Sequence, residues 1–243
     1  MKKTLSTCIL GLFVLGLIAY PAFSMDAKEL IGKMLEAQGG KKLLQGIKDS
    51  TTTATMDIIQ MGISGEVTMY SKEPNMMRMD MEFMGMSMTQ AFDGEMAWTI
   101  NPQTGLSEEM PENMAEYAEK GAYGNDAFFN PEKYGITYSY TGKETIDGKE
   151  YHLLERKFAD GYLMTFYIDA STYLPYKTKA KSLNQMGMEV DEETVLGDYK
   201  KVEGILTPHL ITIFQDGEEF GTITVTDIKY NTGLSDDFFK MEK

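Results

Sequence analysis

Residues Met76-Met-Arg-Met-Asp-Met-Glu-Phe83, followed after Met84-Gly85 by Met86-Ser-Met-Thr-Gln-Ala-Phe92, decide how this chain is read. In the first stretch Met77, Met79, Met81 and Phe83 alternate with Arg78, Asp80 and Glu82. Successive side chains of an extended strand point to opposite faces, so the sulfurs share one face and the charges the other. Past the break, Met86 and Met88 alternate with Ser87 and Thr89. A two-residue break joins only antiparallel neighbours, so the two strands lay a methionine patch on one surface of a sheet.

The period of two extends outward from this pair. Thr51–Ile59 and Ile63–Ser71 precede it and Met96–Asn101 follows it. Further segments run over Ile136–Thr145, Tyr151–Phe158, Tyr162–Ile168, Leu174–Lys181, Met188–Tyr199, His209–Gln215 and Gly221–Tyr230. Asp-Gly pairs at 147–148, 160–161 and 216–217 mark turns, and Pro175 limits pairing where its strand begins. The expectation is a mainly β fold of roughly twelve strands with helical insertions. Its form is one large curled antiparallel sheet, not necessarily closed, packed on a few helices. Helical spacing appears at Leu30, Ile31, Met34 and Leu35, behind the candidate N-cap Asp26 and ahead of Gly39-Gly40. Lys41–Lys48 adds a short helical turn. A second helix is predicted over Ser107–Gly124, with Met110, Met114, Tyr117 and Ala118 on one side, and 125–135 reads as loop.

The N-terminus has a different character. Lys2 and Lys3 precede an apolar run from Leu5 to Ala19, and Ala22 and Ser24 supply small residues in the pattern of a secretory cleavage site. The run is short for a membrane span. Residues 1–24 are therefore expected to be a signal peptide, and 25–243 a single soluble exported domain. Cys8 is the one cysteine and leaves with that segment, so the mature chain has no disulfide and no thiolate metal site. Lys plus Arg number 23 against 37 Asp plus Glu, a net charge of −14. That balance argues against nucleic acid, whose phosphates are neutralised by Lys and Arg, and against electrostatic docking on anionic lipid.

Methionine is the anomaly, at 20 of 243 residues, and thirteen of them lie between Met56 and Met114. Three readings of the patch stand open. It is a core face, although Leu, Ile and Val specify a core better. It is a deformable apolar pocket, in which unbranched thioethers adapt to a ligand. Or it is a copper(I) or silver(I) site, since Met-x-Met supplies soft ligands. His152 and His209 are distant in sequence from the patch, and neither sits in a motif with a nucleophile or metal-ligand spacing. Catalytic and metal residues are thus expected to be absent, and the chain is not read as an enzyme.

Several stretches resemble a known family. They are Glu73-Pro-Asn-Met-Met-Arg-Met-Asp-Met81, then Phe92-Asp-Gly-Glu-Met-Ala-Trp-Thr-Ile-Asn-Pro102. Glu36-Ala-Gln-Gly-Gly40, Tyr167-Ile-Asp-Ala-Ser-Thr-Tyr-Leu-Pro175, Asp198-Tyr199, Gly204-Ile-Leu-Thr-Pro208 and Leu234-Ser-Asp-Asp-Phe-Phe239 join them. Together they are similar to the LolA-like family of periplasmic lipoprotein carriers and outer-membrane lipoprotein-sorting proteins. The resemblance implies an unclosed β-barrel wrapped round helices, with an apolar cavity that shelters the acyl chains of lipid or lipoprotein. It places Met77, Met79, Met81 and Trp98 at the cavity, and the methionine patch adds Phe83, Met86 and Met88. The helical insertion is the candidate lid, with Met110, Met114 and Tyr117 as its plug. Where the carrier has an arginine that holds its lid shut, directly before the Pro-Asn, this chain has Glu73. Expected partners are acyl chains and membrane donor and acceptor proteins, with no cofactor, and the chain is expected to be a monomer. A second class carried by the same resemblance is an envelope-stress sensory or interaction module.

Overall fold

The computed structural model describes residues 25–184 and 186–241, so the expected signal peptide and Cys8 lie outside the described residues. The strands are β1 (Asp49–Ile58), β2 (Ile63–Lys72), β3 (Met76–Phe83), β4 (Met86–Phe92), β5 (Ala97–Ile100) and β6 (Ser107–Glu109). They continue as β7 (Thr137–Ile146), β8 (Lys149–Lys157), β9 (Leu163–Asp169), β10 (Pro175–Leu183), β11 (Glu189–Val202), β12 (Ile205–Gln215) and β13 (Glu218–Tyr230). The helices are α1 (Ala27–Gln38), α2 (Lys41–Gly46), α3 (Glu112–Ala122) and α4 (Asp126–Phe129).

All thirteen strands form one antiparallel sheet in the order β6-β5-β4-β3-β2-β1-β13-β12-β11-β10-β9-β8-β7. The first strand pairs with the last, so the sheet runs as an unbroken meander and its two free edges are β6 and β7. These edges do not pair, and the sheet is an unclosed barrel. The chain between them, residues 110–136, carries α3 and α4. Helix α3 packs on β4 and β5 at one side of the gap and on β10 at the other. The segment that links the edges therefore spans them.

Strands β3 and β4 have the boundaries the alternation predicts. Two expectations are corrected. Ser107–Glu109 extends the sheet as β6, the thirteenth strand, and the helix starts at Glu112 behind Pro111. Proline fixes its own φ and disfavours helix in the residue before it, which keeps Met110 extended. The predicted loop 125–135 instead holds α4 and a 3-10 turn over Pro131–Tyr134, four-residue units too short to show a period.

Helix α1 begins at Asp26, whose side chain accepts from the Glu29 N–H at 2.7 Å. Its buried Leu30, Ile31, Met34 and Leu35 form one core with Leu154, Phe166 and Ile168 of β8 and β9. Directly opposed residues of antiparallel neighbours share a face. The register runs from Phe166 through Thr178, Thr194, Ile213 and Gly221 to Ile58. From there Ile63 leads to Gly65, two residues along β2, which opposes Phe83. The methionine face of β3 therefore lies on the same, inner side of the sheet as α1. No described helix is long and apolar enough to cross a membrane.

Candidate functional site

On that inner face Met77 opposes Phe92, Met81 opposes Met88, and Phe83 opposes Met86. Met79 opposes Met69 of β2, which adds a methionine the sequence reading did not single out. Met79 and Met81 pack against the core of Ala54, Met56, Val67, Phe83, Ile223 and Val225. Met77 lies beyond that core and packs with Phe92, Ala97 and the α3 side of the gap, through Met110, Ala115 and Ala118. Met88 is half-buried, and Met86, at the hairpin end, is 59% exposed.

Between Met77 and α3 lies a cleft of about 210 Å³, lined by Met77, Gln90, Met110, Met114, Tyr117 and Leu183. One candidate cavity residue and all three candidate lid residues thus meet in one place. Pockets for drug-sized ligands span roughly 300–1,000 Å³, so a long chain enters here only if α3 shifts. Few polar contacts tie α3 to the far wall. The Tyr117 hydroxyl donates to Glu189 at 3.2 Å, and Lys120 pairs with Asp160 at 2.6 Å. The Lys120 bond helps hold the Asp160 carboxyl below the usual aspartate range.

Glu73 closes the base of the crossing segment. Its carboxylate accepts the backbone N–H groups of Asn125 at 2.7 Å and Asp126 at 3.2 Å. The Gly124 N–H adds a 3.1 Å bond to the Pro74 carbonyl. A Cβ at Gly124 would stand 2.5 Å from the Glu73 carboxylate, so a larger residue there would push that carboxylate aside. Burial pushes the Glu73 carboxyl above the ordinary glutamate range and outweighs the two N–H bonds that oppose it.

Trp98 is not part of this constellation. Ala97 opposes Phe92, so Trp98, one residue on, faces the outer side beside Ala91 and Arg78. It is 1% exposed, buried under the 3-10 turn Asp236–Phe239, and its indole N–H donates to the Phe239 carbonyl at 2.7 Å. The Arg78 guanidinium lies 4.6 Å from the Phe238 ring and is paired with Asp80 at 2.9 Å.

A larger apolar recess, of about 580 Å³, opens between α1 and the second half of the crossing segment. Ile31, Leu35, Phe128, Phe129, Ile136 and Tyr138 line it. Sequence reading missed this recess, because its walls come from two stretches, residues 27–41 and 128–138, that lie far apart in the chain and that no local pattern links. His152 stacks on Tyr173, with ring centroids 5.7 Å apart, and its Nδ1 lies 3.2 Å from the Tyr140 hydroxyl, with burial lowering its affinity for a proton. No cluster of three or more His, Cys, Asp or Glu among the described residues has the arrangement to hold a metal ion.

Residues 86–243 match a family whose description reads "Uncharacterized protein". No curated protein matches the chain in sequence. Among solved structures the chain is similar to a DUF1329 family protein from Desulfovibrio piger, with a TM-score of 0.60 and 18% identity over 88% of this chain and 95% of that one. It is similar to a putative outer membrane lipoprotein-sorting protein domain from Vibrio parahaemolyticus, at 0.59 and 15%, over 87% and 95%. A LolA superfamily protein from Nitrosomonas europaea gives 0.59 and 15%, over 89% and 98%. The fold is LolA-like.

Proposed function

For a chain that belongs to this uncharacterized protein family and has a LolA-like fold, we propose a carrier of acyl chains, from lipid or lipoprotein, acting in the periplasm after export. The cargo lies on the inner face of the sheet beneath the crossing segment. One observation carries the reading: residues 110–136 join the two unpaired edges, and their apolar side chains wall both clefts. Met110, Met114 and Tyr117 cover the methionine cleft, while Phe128 and Phe129 cover the recess beside α1.

The energetics suit a carrier. Burying one CH₂ contributes about 0.8 kcal/mol, so a sixteen-carbon chain yields roughly 12 kcal/mol before costs. A rigid open cavity would retain such cargo too tightly to deliver it. Here the methionine cleft measures only about 210 Å³ between flexible side chains, and widening it for cargo offsets part of the gain. The net charge of −14 leaves apolar burial, rather than attraction to anionic surfaces, as the driving force.

The test is titration with a fluorescent sixteen-carbon fatty acid. Saturable binding is expected, weakened at least about tenfold by Met114→Asp with Phe129→Asp, which puts charge into the cover of each cleft. Equal binding by a folded double variant, or no binding by the wild type, would overturn the reading.

A further inference from the structure

Arg156 is a buried cation without a counter-charge among the described residues. It sits on β8 opposite Met164 and Tyr138, on the inner side of the sheet, and is 3% exposed. No described carboxylate lies within ion-pair distance of it. Its Nε donates to the Tyr138 hydroxyl at 2.7 Å. Its central carbon lies 4.6 Å from the Phe128 ring, 5.0 Å from Phe166 and 5.4 Å from Tyr138. Burying a charge is unfavourable unless it is paired, and aromatic faces return only part of that cost. The buried position disfavours the charged form of Arg156, and it also pushes the Tyr138 hydroxyl up to about 12.

The two Nη groups of Arg156 make no hydrogen bond within the described protein. No fully buried side-chain nitrogen among the described residues lacks a partner. Each Nη group therefore keeps a trace of access, although Arg156 itself is not among the residues that line the recess. Phe128 and Tyr138, which flank the guanidinium, are also walls of the 580 Å³ apolar recess. A cation with a free two-donor edge thus stands behind the wall of an apolar cleft. Two parallel N–H donors match the two oxygens of a carboxylate or phosphate.

We infer that Arg156 anchors the anionic head of a single-chain amphiphile whose tail fills the recess between α1 and Phe128. The inference rests on the acyl-carrier reading for the tail and adds the chemistry of the head. Carboxylate and phosphate monoester share this chemistry.

Hexadecanoate, hexadecyl phosphate and hexadecanol are titrated separately into the purified chain, below their aggregation concentrations, and into Arg156→Met and Arg156→Lys. The wild type binds at least one anionic probe about tenfold or more tightly than hexadecanol. Whichever anion binds tighter tells carboxylate from phosphate as the source. Arg156→Met binds hexadecanol as the wild type does and loses the preference for the anion. Arg156→Lys keeps part of it, which preserves the test if the methionine variant does not fold. Equal binding of all three probes by the wild type overturns the role of Arg156 and leaves the acyl cavity intact. A preference that survives in a folded Arg156→Met does the same. Failure of all three to bind overturns the carrier reading itself.

Discussion

Glu73 and Asn125 are joined across 52 residues of sequence by a 2.7 Å hydrogen bond, from the Asn125 N–H to the Glu73 carboxylate. It fixes the segment that spans the open edges of the barrel to the turn between β2 and β3. A second N–H bond to the same carboxylate, from Asp126, makes the contact two-pronged. Where the lipoprotein carrier is similar but has arginine, this chain uses a carboxylate on backbone donors.

Removing the carboxylate by Glu73→Ala leaves two N–H groups without their acceptor and costs about 1–3 kcal/mol of stability. Gly124→Ala breaks the same contact by displacing the side chain. Chemical denaturation measures both, and proteolysis within 112–130 is expected to accelerate.

The raised affinity of Glu73 for its proton gives the contact a pH dependence. The latched state holds the proton more tightly than the unfolded chain, so the group's contribution grows as pH falls toward the ordinary glutamate range. It is lost as pH rises through the raised value. Asp126 is shifted the opposite way, chiefly by its bond from Tyr134, so its contribution fails only as pH falls through the lowered value. The stability difference between wild type and Glu73→Ala should therefore widen on mild acidification from neutral. A difference that narrows would contradict this assignment.

Trp98→Phe keeps an aromatic ring but leaves the Phe239 carbonyl without its donor. A loss of about 1–3 kcal/mol is expected, with acyl-probe affinity unchanged, because the ring is on the outer side. Calorimetry and probe titration on the same variant separate the two effects.

Replacing Met77, Met79 and Met81 together by Leu conserves volume and should preserve the fold, at under about 1.5 kcal/mol per site. The branched side chains adapt less readily, at the cleft through Met77 and in the adjoining core through Met79 and Met81. Ligand range or release rate is expected to change, and stopped-flow transfer to acceptor vesicles reads it. Unchanged binding and release would remove any special role for the thioethers.

Tyr117→Phe with Lys120→Met cuts the polar ties of α3 to the far wall. The Tyr117 contact is exposed and contributes about 0–1 kcal/mol, whereas Lys120 is only 12% exposed and also lies over the Phe158 ring. Probe release should therefore quicken by a few-fold, with a modest loss of stability that comes mainly from Lys120.

Much of this architecture was legible because the decisive strands obey a strict period of two. In β3 the alternation of methionine with charge named both faces, and Met84-Gly85 marked the turn. In β5 the same logic fails. Ala97 and Trp98 are both buried, one beneath the crossing segment and the other under the C-terminal turn, so no apolar–polar contrast betrays the face. The resemblance placed Trp98 at the cavity, and only the pairing of Ala97 with Phe92 turns it outward. The recess beside α1 and the buried Arg156 were equally illegible. Arg156 reads as an ordinary charge on a strand, between Glu155 and Lys157, until the rings of Phe128 and Phe166 are brought around it.

The most direct measurement is native mass spectrometry of the chain purified from its own envelope compartment without detergent. The account predicts an added mass of several hundred daltons that is lost on organic extraction. A bare polypeptide mass, or mass added in steps of one copper atom, would contradict it.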